Sequence, residues 1–132
     1  MTRMSQQQGK IIIAPGVNVW PHEMKTAEAL AAAGYIVEFM RRSEGFRVTT
    51  ADVVMNGAIW EMKPPESSQL KVIEKNIRHA LHQSRDVIFD SRRMKKLGNE
   101  RIEQEVRKWA SQLTSVRRLI YINRRGEVVK IK

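Results

Sequence analysis

Asn56-Gly57 stands between two stretches of alternating apolar residues, 46–55 and 58–63. Glycine accepts positive φ without steric cost and asparagine tolerates it better than most residues. The pair therefore selects a tight two-residue turn whose twist suits antiparallel strands. Register then follows by counting. Met55 faces Ala58, Val54 faces Ile59, Val53 faces Trp60, and Asp52 is expected to face Glu61. Because side chains alternate, Asp52, Val54, Ile59 and Glu61 share one face, Lys63 joins them, and Trp60 points away. Directly opposed residues have Cβ atoms about 4.5–5.5 Å apart, and like charges so placed destabilise a ladder. Val54 and Ile59 alongside suggest a face that is at least partly covered, which raises the cost of two carboxylates. Two outcomes stay open. Either the acids sit on a solvated face and Lys63 neutralises them, or they hold a divalent cation with Lys63 at the rim. Oxygen donors without cysteine or clustered histidine favour Mg²⁺ or Mn²⁺ over zinc.

Around this hairpin the pattern predicts a mixed α/β fold. Residues 1–15 read as an N-terminal arm, with Ile11-Ile12-Ile13 a small strand or an anchor, and residues 16–132 as one domain. A chain of 132 residues has room for one core. Pro21 suits a first helical turn, Ala27, Leu30 and Ala31 give an apolar stripe, and Gly34 stops the helix. Residues 35–40 read as a strand. Pro64-Pro65 ends the sheet after the hairpin, since neither residue can donate to a ladder. Ser67 or Ser68 is the expected cap of a second helix carrying Leu70, Ile73, Ile77 and Leu81 on one face. Val87-Ile88-Phe89 is short and wholly apolar, as a buried parallel strand would be. Asn99 is the expected cap of a third helix with Ile102, Val106, Trp109 and Leu113 inward, and residues 117–131 close the chain as a hairpin.

Charge narrows the function classes. Twenty-four Lys and Arg against 14 Asp and Glu leave a net charge of +10, which favours a polyanionic partner, nucleic acid first. The absence of cysteine excludes disulfide staples, thiolate zinc sites and cysteine nucleophiles. No run approaches the roughly 18 apolar residues of a membrane helix, and the polar start lacks a signal-peptide core. Candidate phosphate contacts are Lys71, Lys75 and Arg78 on the second helix, then Arg92, Arg93, Lys95 and Lys96. Arg117-Arg118 and Arg124-Arg125 are further clusters, and each one taken singly also reads as a solvated charge run. His79 and His82 lie three apart on the second helix without an obvious third ligand. His22 adjoins Glu23, and Trp20, Trp60 and Trp109 read as core.

Asp52 and Glu61-Met62-Lys63, in strand–turn–strand after a helix, resemble the PD-(D/E)XK nuclease superfamily, whose core order is helix, three strands, helix, strand. Within it, residues 16–90 are most similar to the C-terminal tRNA nuclease domains of contact-dependent growth inhibition toxins. The matching positions are His22-Glu23, Thr26-Ala27 and Leu30 of the first helix, Gly34-Tyr35, Ala51-Asp52, Trp60-Glu61-Met62-Lys63, and the helix over 67–83. Ala51 departs from the proline of the superfamily name.

The resemblance implies a PD-(D/E)XK core followed by a C-terminal helix and β-hairpin. It implies a metal-dependent endonuclease acting on RNA, with tRNA as substrate. Glu23 (or Glu28 as the fallback) would complete a metal site with Asp52 and Glu61, and Lys63 would be catalytic. It further implies a cognate immunity protein, and action in the cytoplasm of a target cell after delivery within a secreted toxin. Such domains usually end long chains whereas this one begins at Met1, so either an excised domain or a free-standing relative is expected. Two rival readings are a DNA endonuclease of the same fold and a non-catalytic nucleic-acid-binding domain.

Overall fold

The computed structural model describes residues 8–41 and 51–132. In chain order these form β1 (Lys10–Ile13), α1 (Pro21–Ala32), β2 (Ile36–Arg41), β3 (Ala51–Met55), β4 (Ala58–Lys63), α2 (Val72–Ala80), β5 (Asp86–Asp90), α3 (Asn99–Gln112), β6 (Arg118–Ile122) and β7 (Val128–Lys130). From α1 to β5 the order is the expected helix, three strands, helix, strand. The seven strands make one sheet in which spatial order follows chain order. β1–β2, β4–β5 and β5–β6 pair parallel, and β2–β3, β3–β4 and β6–β7 antiparallel. The part of the predicted strand over 46–50 lies outside the described residues.

At the N-terminus the strand alternative for Ile11-Ile12-Ile13 is the one found: Lys10–Ile13 is an edge strand, paired through Ile11↔Val37 and Ile12↔Glu38. Gly9 permits that approach, because a Cβ there would meet the Tyr35 carbonyl oxygen at 1.7 Å.

Helices cover the two faces of the sheet unequally. On one face α1 packs Ala27 and Leu30 against Val37, Phe39, Val53 and Trp60. On the other, α2 and α3 bring Ile73, Ile77, Ile102 and Val106 onto Val87, Phe89, Leu119 and Tyr121. β5 is buried along its whole length, which is why an unbroken apolar run was its signature. α2 packs on β4 and β5, and α3 on β6. Among the described residues no helix packs on the second face of β2 and β3, where Ile36 and Met40 are exposed, and Ile59 near the start of β4 is exposed as well. The expected partial cover of this face is found at Val54, which is half-buried, whereas Ile59 next to the turn is 49% exposed.

Local signals are partly redirected. Asn56 and Gly57 have φ of 51° and 74°, as the two-residue turn requires, and Gly34 (φ 101°) follows the last turn of α1. Ser67 does not cap α2. Its Oγ accepts from the Gln69 amide (3.0 Å) in a turn that precedes the helix, and Lys71 occupies the cap position. Asn99 is likewise the first residue of α3 rather than its cap. Its Oδ1 accepts instead from the Tyr121 hydroxyl (2.9 Å) and the Arg124 amide (3.2 Å), tying the helix to β6.

Candidate active site

The hairpin register counted from the turn holds for Met55↔Ala58, Val54↔Ile59 and Val53↔Trp60. The ladder then stops. Beyond Val53, β3 stays with β2 through Met40↔Asp52 and Arg41↔Ala51. Beyond Trp60, β4 goes with β5 through Glu61↔Val87, Met62↔Ile88 and Lys63↔Phe89. Asp52 and Glu61 therefore flank a fork in the sheet rather than forming its next rung. Two carboxylates opposite one another would destabilise that rung, and each strand has another partner to follow.

A cleft of about 160 Å³ occupies the fork, lined by Glu23 of α1, Ala51 and Val53 of β3, Glu61 and Met62 of β4, and His79 of α2. Strand alternation keeps Asp52 on the face of Val54 and Glu61 on that of Ile59. Lys63, on the same side of β4, has its Nζ 3.5 Å from Glu61 Oε2 and 2.9 Å from His79 Nδ1. Both side chains are largely shielded, Glu61 at 22% and Lys63 at 15% exposed. Trp60 points to the opposite, α1-covered face as expected, and its indole N–H donates to the Met55 carbonyl (3.1 Å).

The predicted acids are thus brought together in part. Glu23 reaches the cleft from the N-terminal turn of α1, where its Oε1 also accepts from the Trp20 amide (3.1 Å). Glu28 is exposed further along α1 and exerts its charge on Arg92, away from the fork. Asp52 belongs to the β3 flank of the fork but is not among the residues lining the cleft. Among the described residues, no three Asp, Glu or His side chains gather closely enough to hold a metal ion. The donors are nonetheless oxygens of the kind Mg²⁺ takes, and that ion is commonly held by one or two carboxylates with waters completing its shell.

Sequence comparison bears on this same region. Residues 49–128, which run from β3 to the first residue of β7 and include Asp52, Glu61 and Lys63, match the family described as the contact-dependent growth inhibition CdiA C-terminal domain. The chain belongs to that family. Among solved structures, a CdiA-CT/CdiI toxin and immunity complex from Burkholderia pseudomallei is similar, with a TM-score of 0.67 at 14% identity. The likeness covers 94% of this chain and 99% of that one, and at such identity it is a likeness of fold. No curated protein matches. Glu23 lies outside the matched residues, so its place at the fork rests on the geometry of α1.

In this CdiA C-terminal domain the cationic residues divide by chemistry. The arginines are mostly engaged in holding the fold. Arg92 gives Nε (3.0 Å), NH2 (2.8 Å) and its amide (3.1 Å) to the buried Asp90, which raises the pKa of the guanidinium. Asp90 also accepts from Thr26 Oγ1 (2.6 Å), so one carboxylate ties α1 to the end of β5. Arg93 donates to the Pro64 carbonyl (2.8 Å) and pairs with Glu66 (3.3 Å). Arg124 donates to the carbonyls of Met94 and Leu97. Arg117 and Arg118 both grip Asp86, whose carboxyl is held well below the usual carboxylate range, chiefly by the hydrogen bonds of Arg118 and against the opposing effect of burial. The Arg118 guanidinium also lies 4.9 Å from the Trp60 ring centroid.

The lysines outside the fork stay exposed. Lys71 and Lys75, with Arg78 (paired to Glu74 at 2.7 Å), His79 and His82, line an open groove of about 650 Å³ along α2. His79 lines both this groove and the fork, so the two adjoin. Lys95 joins Lys25, His22, Arg92 and Arg93 around a separate cavity of about 450 Å³ beside α1, and Lys96 is exposed outside both. Trp20, expected in the core, is 55% exposed and stacks on His22.

Sequence reasoning considered His79 only as one of a histidine pair, named Thr26 only as a position matching the family, and gave no role to Asp86 or Asp90. A signal existed for the first: the buried stripe Ile73, Ile77, Ala80 fixes the phase of α2 and turns His79 to its flank. That the flank meets Lys63 depends on the packing of α2 against β4.

Proposed function

We propose that this domain is a toxin nuclease of the PD-(D/E)XK kind that hydrolyses phosphodiester bonds in RNA, with tRNA as substrate, at the fork between β3 and β4. The observation that carries the reading is the parting of the two strands, with Glu61, Lys63 and Asp52 about the gap and a cationic groove beside it. Family membership and the fold of the Burkholderia pseudomallei toxin support the toxin class. The tRNA substrate rests on the sequence resemblance.

In this reading Asp52 and Glu61, with Glu23 adjoining from α1, would hold Mg²⁺ or Mn²⁺. Such an ion supplies a water of lowered pKa and polarises a phosphoryl oxygen. Lys63 presents an ammonium to the negative charge that grows on the phosphoryl oxygens. Lys71, Lys75 and Arg78 hold the substrate backbone, with Lys95 and Lys96 as outlying contacts, and such contacts orient without reading sequence. Arg92 and Arg93 act indirectly in this scheme, by fixing the loop after β5. A cognate immunity protein is the proposed partner, by analogy with the toxin and immunity complex, and the proposed place of action is the cytoplasm of a target cell after delivery.

The test is incubation of the protein with total tRNA and with plasmid DNA, each in Mg²⁺ and in EDTA. Cleavage of tRNA in Mg²⁺ alone is the expected result. Plasmid cleavage without RNA cleavage would transfer the activity to DNA. Salt-sensitive binding of both without any cut would leave a binding domain.

A further inference from the structure

Lys63 has two acceptors in reach, and they compete. An ammonium donates and never accepts. Its contact with His79 Nδ1 is 2.9 Å, a direct hydrogen bond, whereas Glu61 Oε2 at 3.5 Å lies beyond the usual range for one. For Nδ1 to accept, the ring must be neutral with its proton on Nε2. The tighter partner is thus the uncharged one, and the ammonium sits closer to α2 than to the carboxylate.

Without that ring, Coulomb attraction in a shielded cleft would shorten the 3.5 Å ion pair of Lys63 with Glu61 into a direct hydrogen bond. Such a bond would turn the lysine from the phosphate and set the carboxylate against a cation of its own chain. His79 can hold the lysine because Ile73, Ile77 and Ala80 fix the rotation of α2 against the sheet.

We propose that His79 is the positioning residue of Lys63: its neutral imidazole keeps the ammonium from closing its 3.5 Å ion pair with Glu61 into a direct hydrogen bond, and so holds it at the seam between the fork and the α2 groove where a substrate phosphate would pass. The inference rests on the nuclease reading, because it gives Lys63 a phosphate to face.

The test has an arm that needs no activity. ¹⁵N NMR of the histidine rings in the full chain should show His79 as the Nε2–H tautomer, with an Nδ1 resonance that shifts in Lys63→Met. Protonated Nδ1, or a resonance indifferent to Lys63→Met, overturns the proposal. The kinetic arm compares His79→Ala with His79→Asn, whose side-chain oxygen can stand where Nδ1 stood. His79→Ala should lower kcat for tRNA cleavage about 10–100-fold, the usual loss for a supporting partner, with KM little changed. His79→Asn should recover most of it. A purely structural role would instead lower the unfolding temperature in both variants, and because His79 is exposed no such shift is expected. If Lys63→Met is inactive while His79→Ala cleaves like wild type, the inference fails and the nuclease reading stands. If Lys63→Met itself cleaves like wild type, both fail.

Discussion

Replacing Asp86 with asparagine keeps the shape of a side chain at the start of β5 and removes its charge. The carboxylate is fully buried and receives two N–H groups from Arg117 (Nε 3.1 Å, NH2 2.6 Å) and two from Arg118 (Nε 2.9 Å, NH2 2.8 Å). Breaking a buried pair by removing one partner costs about 3–5 kcal/mol. The arginines left behind are 54% and 35% exposed, so water regains them and the expected loss is nearer 2–3 kcal/mol. For a domain of this size that is a fall of about 6–12 °C in unfolding temperature.

The pH dependence is a sharper check. The Asp86 carboxyl has a lower pKa folded than unfolded, so at acid pH the unfolded chain binds the extra proton. Its contribution is complete above the unfolded value, about 3.9, and is lost as pH falls below that toward the folded value. Thermal unfolding followed by circular dichroism from neutral pH into this acid range should show wild type destabilised faster than Asp86→Asn, the two curves converging. Equal unfolding temperatures at neutral pH, or parallel acid slopes, would refute the assignment of Asp86 as an ionised anchor of β5 and β6.

Thr26→Val removes the hydroxyl that links α1 to Asp90, and urea unfolding should show a loss of about 1–2 kcal/mol, with RNA cleavage falling further because α1 also carries Glu23. Gly57→Ala meets no steric obstacle, yet its φ of 74° should cost about 1 kcal/mol in the same assay. Lys71→Ala with Lys75→Ala should flatten the dependence of log affinity for RNA on log salt by about 1.5, measured by filter binding.

The hairpin was legible because turn chemistry and a period of two fix register without reference to the rest of the chain. β5 was legible because burial on both faces leaves an unbroken apolar run. The fork was not, since where the β3–β4 ladder ends depends on β2 claiming Asp52 and β5 claiming Glu61, a competition between strands far apart in sequence. Ile11-Ile12-Ile13 was ambiguous for the same reason: an edge strand is defined by its partner, here β2. Charge counting likewise could not separate Arg92 and Arg118, gripping buried aspartates, from Lys71 and Lys75, left to solvent. Side-chain oxygens at Ser67 and Asn99 were recognised as hydrogen-bonding groups, but tertiary contacts and a preceding turn took them from the helix ends.

Phosphodiester cleavage at the fork is most directly tested by sequencing the ends of tRNA after brief exposure, in Mg²⁺, to wild type and to Glu61→Gln of matched unfolding temperature. Glu61 lines the cleft and contacts Lys63, so its loss should lower cleavage by at least about 100-fold while the fold survives. Undiminished cleavage at the same RNA positions by Glu61→Gln would contradict a catalytic role for the fork.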